Sequence, residues 1–217
     1  MTFDLFTSRA ETDTGGVRLG DGTFLLRGCA LPAEAEILRD LGDITARAPF
    51  RHMVTPGGFR MSVAMTNCGA LGWVTDRSGY RYDRRDPESG QIWPRMPDSF
   101  LQLVRDAAAR AGFTGFVPDA CLINRYQPGA RLSLHQDRNE KDMDQPIVSV
   151  SLGIPARFLF GGLERSDRAM KLELLHGDVL VWGGPDRLRY HGVIPLKDAV
   201  HPLLGRCRIN LTFRKAG

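Results

Sequence analysis

Apolar residues recur along the chain with two different periods, and the change from one to the other divides it. Over Pro32–Ala48 the apolar positions Ile37, Leu38, Leu41 and Ile44 share one face of a 3.6-residue helix, and Pro32 falls near the first turn, where a missing N–H is harmless. A second stripe, Phe100, Leu103, Val104, Ala107 and Ala111, predicts a helix from Asp98 to Ala111, with Gly112 where a C-terminal cap belongs. From Ala120 onward short β-rich runs take over: Cys121–Tyr126, Ile147–Leu152, Arg157–Phe160, Lys171–Leu174, Val179–Trp182 and Arg208–Arg214. Turn signals such as Pro128-Gly129, Gly161-Gly162 and Gly183-Gly184-Pro185 separate them. Helices first, strands afterwards and no βαβ alternation predict a mainly β member of the α+β class, a barrel or sandwich with two helices packed outside.

Two stretches fit neither period. Residues 1–22 are polar and Gly-rich and are expected to begin as a loose arm. Residues 49–95 hold Pro56-Gly57-Gly58, Trp73, Tyr80, Tyr82 and Trp93 among many polar residues, without clean periodicity. A long irregular stretch inside a compact domain is usually functional or mobile, so this one is expected to form a lid.

Bulk composition narrows the picture only a little. The 217 residues, 42% of them hydrophobic, suit one globular domain with a sizeable core. A net charge of +4 permits a polyanionic partner without demanding one. No run of about eighteen apolar residues exists, so no membrane span is expected. Met1–Ser8 lacks the basic-then-apolar design of a signal peptide. Cys29, Cys68, Cys121 and Cys207 are scattered without Cys-x-x-Cys spacing, as idle thiols in a reducing compartment would be. Together these features predict a cytoplasmic protein, with a monomer as the default.

The chemistry-bearing signal is His135-Gln136-Asp137. On a strand, residues two apart project together, so imidazole and carboxylate would share a face. Two histidines and one carboxylate leave positions open on Fe(II) for a cosubstrate and oxygen. His191 follows the Val179–Trp182 strand and could supply the third ligand, although His52, His176 and His201 are also present. A lone His-x-Asp is more often a surface hydrogen bond than a metal site, and zinc accepts the same donors. The C-terminal run shifts the balance. Arg208, Asn210, Thr212 and Arg214 fall on one face of an alternating strand. Two guanidinium groups on a buried face require an anion, and a dicarboxylate such as 2-oxoglutarate would satisfy both. The bland alternative is an exposed edge strand carrying two solvated arginines.

Long ordered blocks then connect these pieces: MVTPGGFRMSVAMTNCG (53–69), PDACLINRYQPGARLSLHQD (118–137), PIVSVSLGIPARFLFGG (146–162), HGDVLVWGG (176–184), RYHGV (189–193) and CRINLTFR (207–214). Over nearly its whole length the chain closely resembles the bacterial AlkB-type, 2-oxoglutarate-dependent DNA repair dioxygenases. The resemblance implies a double-stranded β-helix, or jelly-roll barrel, with supporting N-terminal helices and a nucleotide-recognition lid. It also implies one domain over 1–217, with residues 1–95 as extension and lid and residues 115–217 as the catalytic core. The implied cofactors are Fe(II), 2-oxoglutarate and O2. The implied reaction is oxidative dealkylation of bases of the 1-methyladenine and 3-methylcytosine type in single- or double-stranded DNA or in RNA, releasing succinate, CO2 and an aldehyde.

Residue by residue, the resemblance assigns His135, Asp137 and His191 to iron. Arg208 matches the partner of the distal carboxylate of 2-oxoglutarate, and Arg214 the arginine near its chelating end. Asn124, Tyr126 and Asn210 match further cosubstrate positions. Trp73 and Tyr80 match lid residues that hold a flipped base, for which an aromatic surface offsets lost stacking. Met65 and Trp182 match pocket lining, Thr55 and Arg131 match phosphate-backbone contacts, and Arg165 a substrate-side contact. Two positions depart from the pattern. Asn139 stands where close bacterial relatives carry an acidic residue beside a cationic base, and Phe59 replaces a tyrosine of the lid. Both put substrate preference in doubt and leave the reaction type intact. Two other readings remain: the same iron chemistry on a protein, lipid or small molecule, and a nucleic-acid-binding module without catalysis.

Overall fold

A computed structural model describes residues 16–217. The loose arm expected over 1–22 lies outside the described residues as far as position 15, and its remainder is not loose. In chain order come β1 (Val17–Arg18), β2 (Thr23–Leu26), α1 (Glu34–Arg47), β3 (Ala64–Gly69), β4 (Gly72–Asp76), β5 (Gly79–Asp83) and α2 (Asp98–Arg110). Then follow β6 (Ala120–Tyr126), β7 (Leu132–His135), β8 (Ile147–Gly153), β9 (Ala156–Phe160) and β10 (Met170–Leu174). The chain closes with β11 (Val179–Trp182), β12 (His191–Val193) and β13 (Arg208–Arg214).

Both helices form where their stripes predicted. Pro32 lies in a short 3-10 turn that leads into α1, and Ile37, Leu41 and Ile44 are its buried residues. Pro49 lies just beyond its end. In α2 the apolar stripe is buried, and Gly112 adopts φ +88° beyond the helix. That left-handed residue lets Phe113 N donate to Ala108 O at 2.8 Å and Gly112 N to Ala109 O at 3.0 Å, which satisfies two orphan carbonyls.

Among the described residues, thirteen strands make two facing sheets and a hairpin. The major sheet runs β1-β2-β11-β8-β13-β6-β3, the minor sheet β10-β9-β12-β7, and β4 pairs with β5. The pairings within them are antiparallel. The major sheet is buried on both sides. One face, including Cys121, Ile123, Val148, Val150, Leu211 and Phe213, packs against the helices through Ile37, Leu41, Phe100 and Val104. The other face meets Phe158, Phe160, Leu172 and Val193 of the minor sheet. Period-2 alternation along β13 therefore sends Ile209, Leu211 and Phe213 to the helices and Arg208, Asn210, Thr212 and Arg214 to the barrel interior. The edge-strand alternative fails, because β13 lies between β6 and β8 and all seven of its residues are buried.

Three expectations need correction. Residues 49–95 are irregular only in part: β3 belongs to the major sheet, and β4 and β5 form a regular hairpin. The alternation was hidden because β3 buries Thr66 and Asn67, whose side chains bond Ala48 O at 2.8 Å and the backbone of Trp73 at 3.0 Å. Residues 17–18 pair with β2, in the register Val17↔Leu25, so the expected arm ends in a strand. Finally, His135 is the last residue of β7, so Asp137 lies past the strand rather than two places along it.

Candidate active site and metal centre

A cavity of about 840 Å³ is bounded by both sheets, the 55–62 turn and the β4–β5 hairpin. At its wall β7 and β12 place His135 and His191 directly opposite one another, with ring centroids 4.4 Å apart. A register shift follows between His191 and Val193. Each Nδ1 lies against a backbone carbonyl: His135 Nδ1 at 2.9 Å from Ser133 O and His191 Nδ1 at 3.0 Å from Arg189 O. A carbonyl only accepts, so Nδ1 is the protonated nitrogen in both rings and Nε2 keeps its lone pair for a metal.

Asp137 completes the triad. Its Oδ1 lies 3.8 Å from His135 Nε2 and its Oδ2 3.7 Å from His191 Nε2. The three donor groups lie within 4.8 Å of one another. Beyond the strand, Asp137 is held by two arginines. Arg187 Nη1 donates to its backbone carbonyl at 2.8 Å, and Arg214 donates to Oδ2 from Nε at 2.9 Å and Nη2 at 2.6 Å. Burial favours the neutral acid, but the Arg214 guanidinium, followed by His191 and His135, holds the Asp137 carboxyl well below the usual range. For His191, burial with help from His135 outweighs the pull of Asp137 and pushes the imidazole down to about 4, so it is neutral at physiological pH. An ionised carboxylate and neutral imidazoles are the states a divalent ion needs.

Across the cavity, Arg208 is 1% exposed. Its Nη2 donates to Ser151 Oγ at 3.0 Å and its guanidinium lies 5.2 Å from the Tyr126 ring, but Nε and Nη1 are buried without a partner. Asn124 Oδ1 and Trp182 Nε1 are likewise buried and unpartnered. Unsatisfied buried donors of a permanent cation are costly, and a carboxylate would satisfy them. Zinc could take the same two histidines and Asp137; an anion receptor beside the triad is what a chelating keto acid requires. Asn210 also lines the cavity. Its amide is committed to Ser149 Oγ at 2.8 Å and Val150 O at 3.0 Å, and its carbonyl accepts from Thr212 at 2.9 Å, so it braces the wall.

The remaining predicted residues converge on the same cavity. Trp73 and Tyr80, diagonal neighbours on one hairpin face, stack at 5.7 Å and 25°. Met65 and Trp182 are buried in the wall. Thr55 sits in the turn of Pro56-Gly57-Gly58, where Thr55 N bonds Phe59 O at 2.9 Å and leaves Phe59 77% exposed. Arg131 begins the β7 side, with its backbone tied to Ser62 Oγ. Arg165 donates to Leu134 O at 2.9 Å, and Asn139 is exposed on the cavity side. Glu140 and Arg187 escaped sequence reading, and Tyr82 was read only as one of the lid's aromatics. Nothing in the sequence around Glu140 and Arg187 sets them apart from surface charges, and only tertiary contact reveals that they are buried against each other at 3.1 Å.

A jelly-roll with a two-histidine, one-carboxylate centre and an arginine anion receptor defines an iron- and keto-acid-dependent oxygenase. The chain belongs to the 2OG-Fe(II) oxygenase superfamily, whose family model matches residues 22–214. It is 56% identical over 214 residues to the alpha-ketoglutarate-dependent dioxygenase AlkB of Escherichia coli (strain K12), covering 99% of this chain and 98% of that one. The nucleic acid dioxygenase ALKBH1 of Homo sapiens is 33% identical over 123 residues, covering 57% of this chain and 31% of that one. A solved structure described as that of OsALKBH1 superimposes with a TM-score of 0.82 at 30% identity, covering 92% of this chain and 99% of that one. The jelly-roll expectation and the AlkB-type resemblance both hold. The protein is a dioxygenase that uses Fe(II), 2-oxoglutarate and O2.

Proposed function

We propose that this dioxygenase removes alkyl groups from N-alkylated bases, of the 1-methyladenine and 3-methylcytosine type, in DNA or RNA. Its family and the nucleic-acid activity in the name of the ALKBH1 relative support the substrate class. The observation that carries the reading is the aromatic pair Trp73–Tyr80 stacked on a hairpin that bounds the same cavity as the triad. An extruded base needs such a surface to offset the stacking it leaves.

In this reading His135, Asp137 and His191 hold iron through Nε2, carboxylate and Nε2. Arg208 takes the distal carboxylate of 2-oxoglutarate, with Tyr126 and Asn124 beside it. Arg214 stands by the chelating end while it orients Asp137. When bound, iron with 2-oxoglutarate and O2 supplies oxidative decarboxylation and hydroxylation of the alkyl carbon, after which aldehyde and repaired base separate. The chain's own residues supply the rest. Trp73, Tyr80, Met65 and Trp182 enclose the base, and Thr55, Arg131 and Arg165 engage the strand without reading sequence. Asn139 is placed to meet the base itself. We further propose action as a monomer in the cytoplasm, on a single domain spanning the chain; no helix among the described residues is long and apolar enough to cross a membrane.

The test is aerobic incubation with Fe(II), 2-oxoglutarate and an oligonucleotide bearing 1-methyladenine or 3-methylcytosine, read by mass spectrometry. Loss of the methyl mass, dependent on both cofactors and absent in His135→Ala, is the expected result. Succinate formation without loss of the methyl group would rule out this substrate class.

A further inference from the structure

Immediately past the triad the chain places three neighbours in three environments. Asp137 joins the histidines, Asn139 is exposed on the cavity side, and Glu140 turns inward. The Glu140 side chain is 2% exposed and does not face the cavity. Its Oε1 accepts from Tyr82 Oη at 2.5 Å, and its Oε2 accepts from Arg187 Nη2 at 3.1 Å. Arg214 Nε lies 3.5 Å from the same Oε1, a looser approach than its 2.6 and 2.9 Å bonds to Asp137. Arg187 closes the group from behind, with Nη1 on Asp137 O at 2.8 Å and Nε on Gln145 O at 3.0 Å.

Two carboxylates and two guanidinium groups balance, so this buried cluster carries no net charge of its own. That balance makes it sensitive. Arg214 is shared between Asp137, which grips it, and Glu140, which stands off. Whichever carboxylate has the weaker other partners draws the guanidinium toward itself, because an unpartnered buried charge is costly. Tyr82 decides this for Glu140: its hydroxyl occupies Oε1 and keeps Arg214 on Asp137. Tyr82 is also the member of the cluster that lies on the hairpin. It is directly opposite Trp73 in register, on the face that carries the Trp73–Tyr80 stack.

We propose that Glu140 is a positioning residue that joins the β4–β5 hairpin to the Arg214–Asp137 pair through Tyr82, so that hairpin and metal ligand move as one linked unit. An anion or cation added at the Arg214–Asp137 pair changes the demand on Arg214, hence on Glu140, hence on the hydroxyl that anchors the hairpin. The base of the hairpin has independent anchors in the paired amide of Asn67 and in Trp93 Nε1, which donates to Asp83 O at 3.0 Å. Losing the Tyr82 hydroxyl therefore uncouples the hairpin without unfolding it. The inference rests on the proposed placement of metal and cosubstrate at Asp137 and Arg214.

The experiment is amide hydrogen exchange by mass spectrometry on the full chain, metal-free and again with Mn(II) and 2-oxoglutarate, which hold the site without turnover. In the wild type, exchange over 132–137, 208–214 and the hairpin 72–83 is expected to slow on addition, the hairpin by roughly threefold or more. In Tyr82→Phe the two core segments should slow as before and the hairpin should not respond. Glu140→Gln, which keeps the shape and removes the charge, should behave alike. A hairpin that slows in Tyr82→Phe as it does in the wild type overturns the proposal, as does a wild-type hairpin indifferent to the additions. If the core segments of the wild type also fail to respond, the placement of the site is itself wrong and the inference falls with it.

Discussion

Replacing Arg208 with Met should move stability and cosubstrate affinity in opposite directions. Arg208 is 1% exposed, with Nε and Nη1 unpartnered, while Ser151 Oγ at 3.0 Å and Tyr126, its ring 5.2 Å away, offset part of its burial. Burial pulls its affinity for the proton below the ordinary range, yet an arginine stays charged, so this position holds an incompletely compensated cation. Met has similar reach and no charge. Ligand-free Arg208→Met should therefore unfold at higher urea, by about 1–3 kcal/mol, since removing a buried charge with its polar needs is neutral to stabilising. Binding should suffer. Two charge-assisted hydrogen bonds at about 1.5–3 kcal/mol each correspond to a loss of about a hundredfold or more in affinity for 2-oxoglutarate. The assay is urea denaturation with Mn(II) present, with and without 2-oxoglutarate. At about 100 times its Kd the ligand should stabilise the wild type by about 2.7 kcal/mol and the variant hardly at all, closing or reversing the gap between them. An Arg208→Met protein that is less stable without ligand, or that gains as much from it, would show that Arg208 is already compensated and is no receptor.

Three further outcomes follow from the same site. Asn139→Asp should place a carboxylate on the cavity side and lower KM for cationic 1-methyladenine by about threefold to tenfold, while leaving a neutral methylated base unchanged; equal effects on both would exclude an electrostatic part for this position. Trp73→Ala should raise KM for an alkylated oligonucleotide by about tenfold, from lost stacking of about 1–3 kcal/mol, while 2-oxoglutarate binding measured by calorimetry stays put. For the metal-free protein, acid should be destabilising through His191. Its folded value of about 4 lies below the ordinary 6.5, so the unfolded chain takes up the proton first. Stability is then lost as pH falls through 6.5 and the loss is complete near 4. It is worth on the order of 3 kcal/mol, and urea midpoints of wild type against His191→Gln across that range isolate it.

Much of this was legible in the residues themselves. The helices carry clean 3.6-residue stripes because each packs one face on the sheet, and Gly112 ends α2 with the positive φ its position demanded. The alternation of β13 foretold which side chains face inward. The His-x-Asp motif marked two of the three donor groups that converge, even though Asp137 lies past the end of its strand. The middle of the chain was misread because β3 conceals its polar residues by bonding them to backbone, which erases the hydrophobic alternation that marks a strand.

The sequence by itself determined the local periods, the ligand types and, through long ordered blocks, the family. Beyond that resemblance, tertiary structure alone shows why His191, and not His176 or His201, faces His135: antiparallel pairing of β7 and β12 brings residues more than fifty positions apart into register. It also supplies the reason the two arginines of β13 differ. Arg214 meets Asp137 and Glu140, and Arg208 meets no carboxylate among the described residues. Equal charges in equal sequence settings acquire unequal tasks because the energy of a buried charge depends on its neighbours in space, which period and composition do not encode.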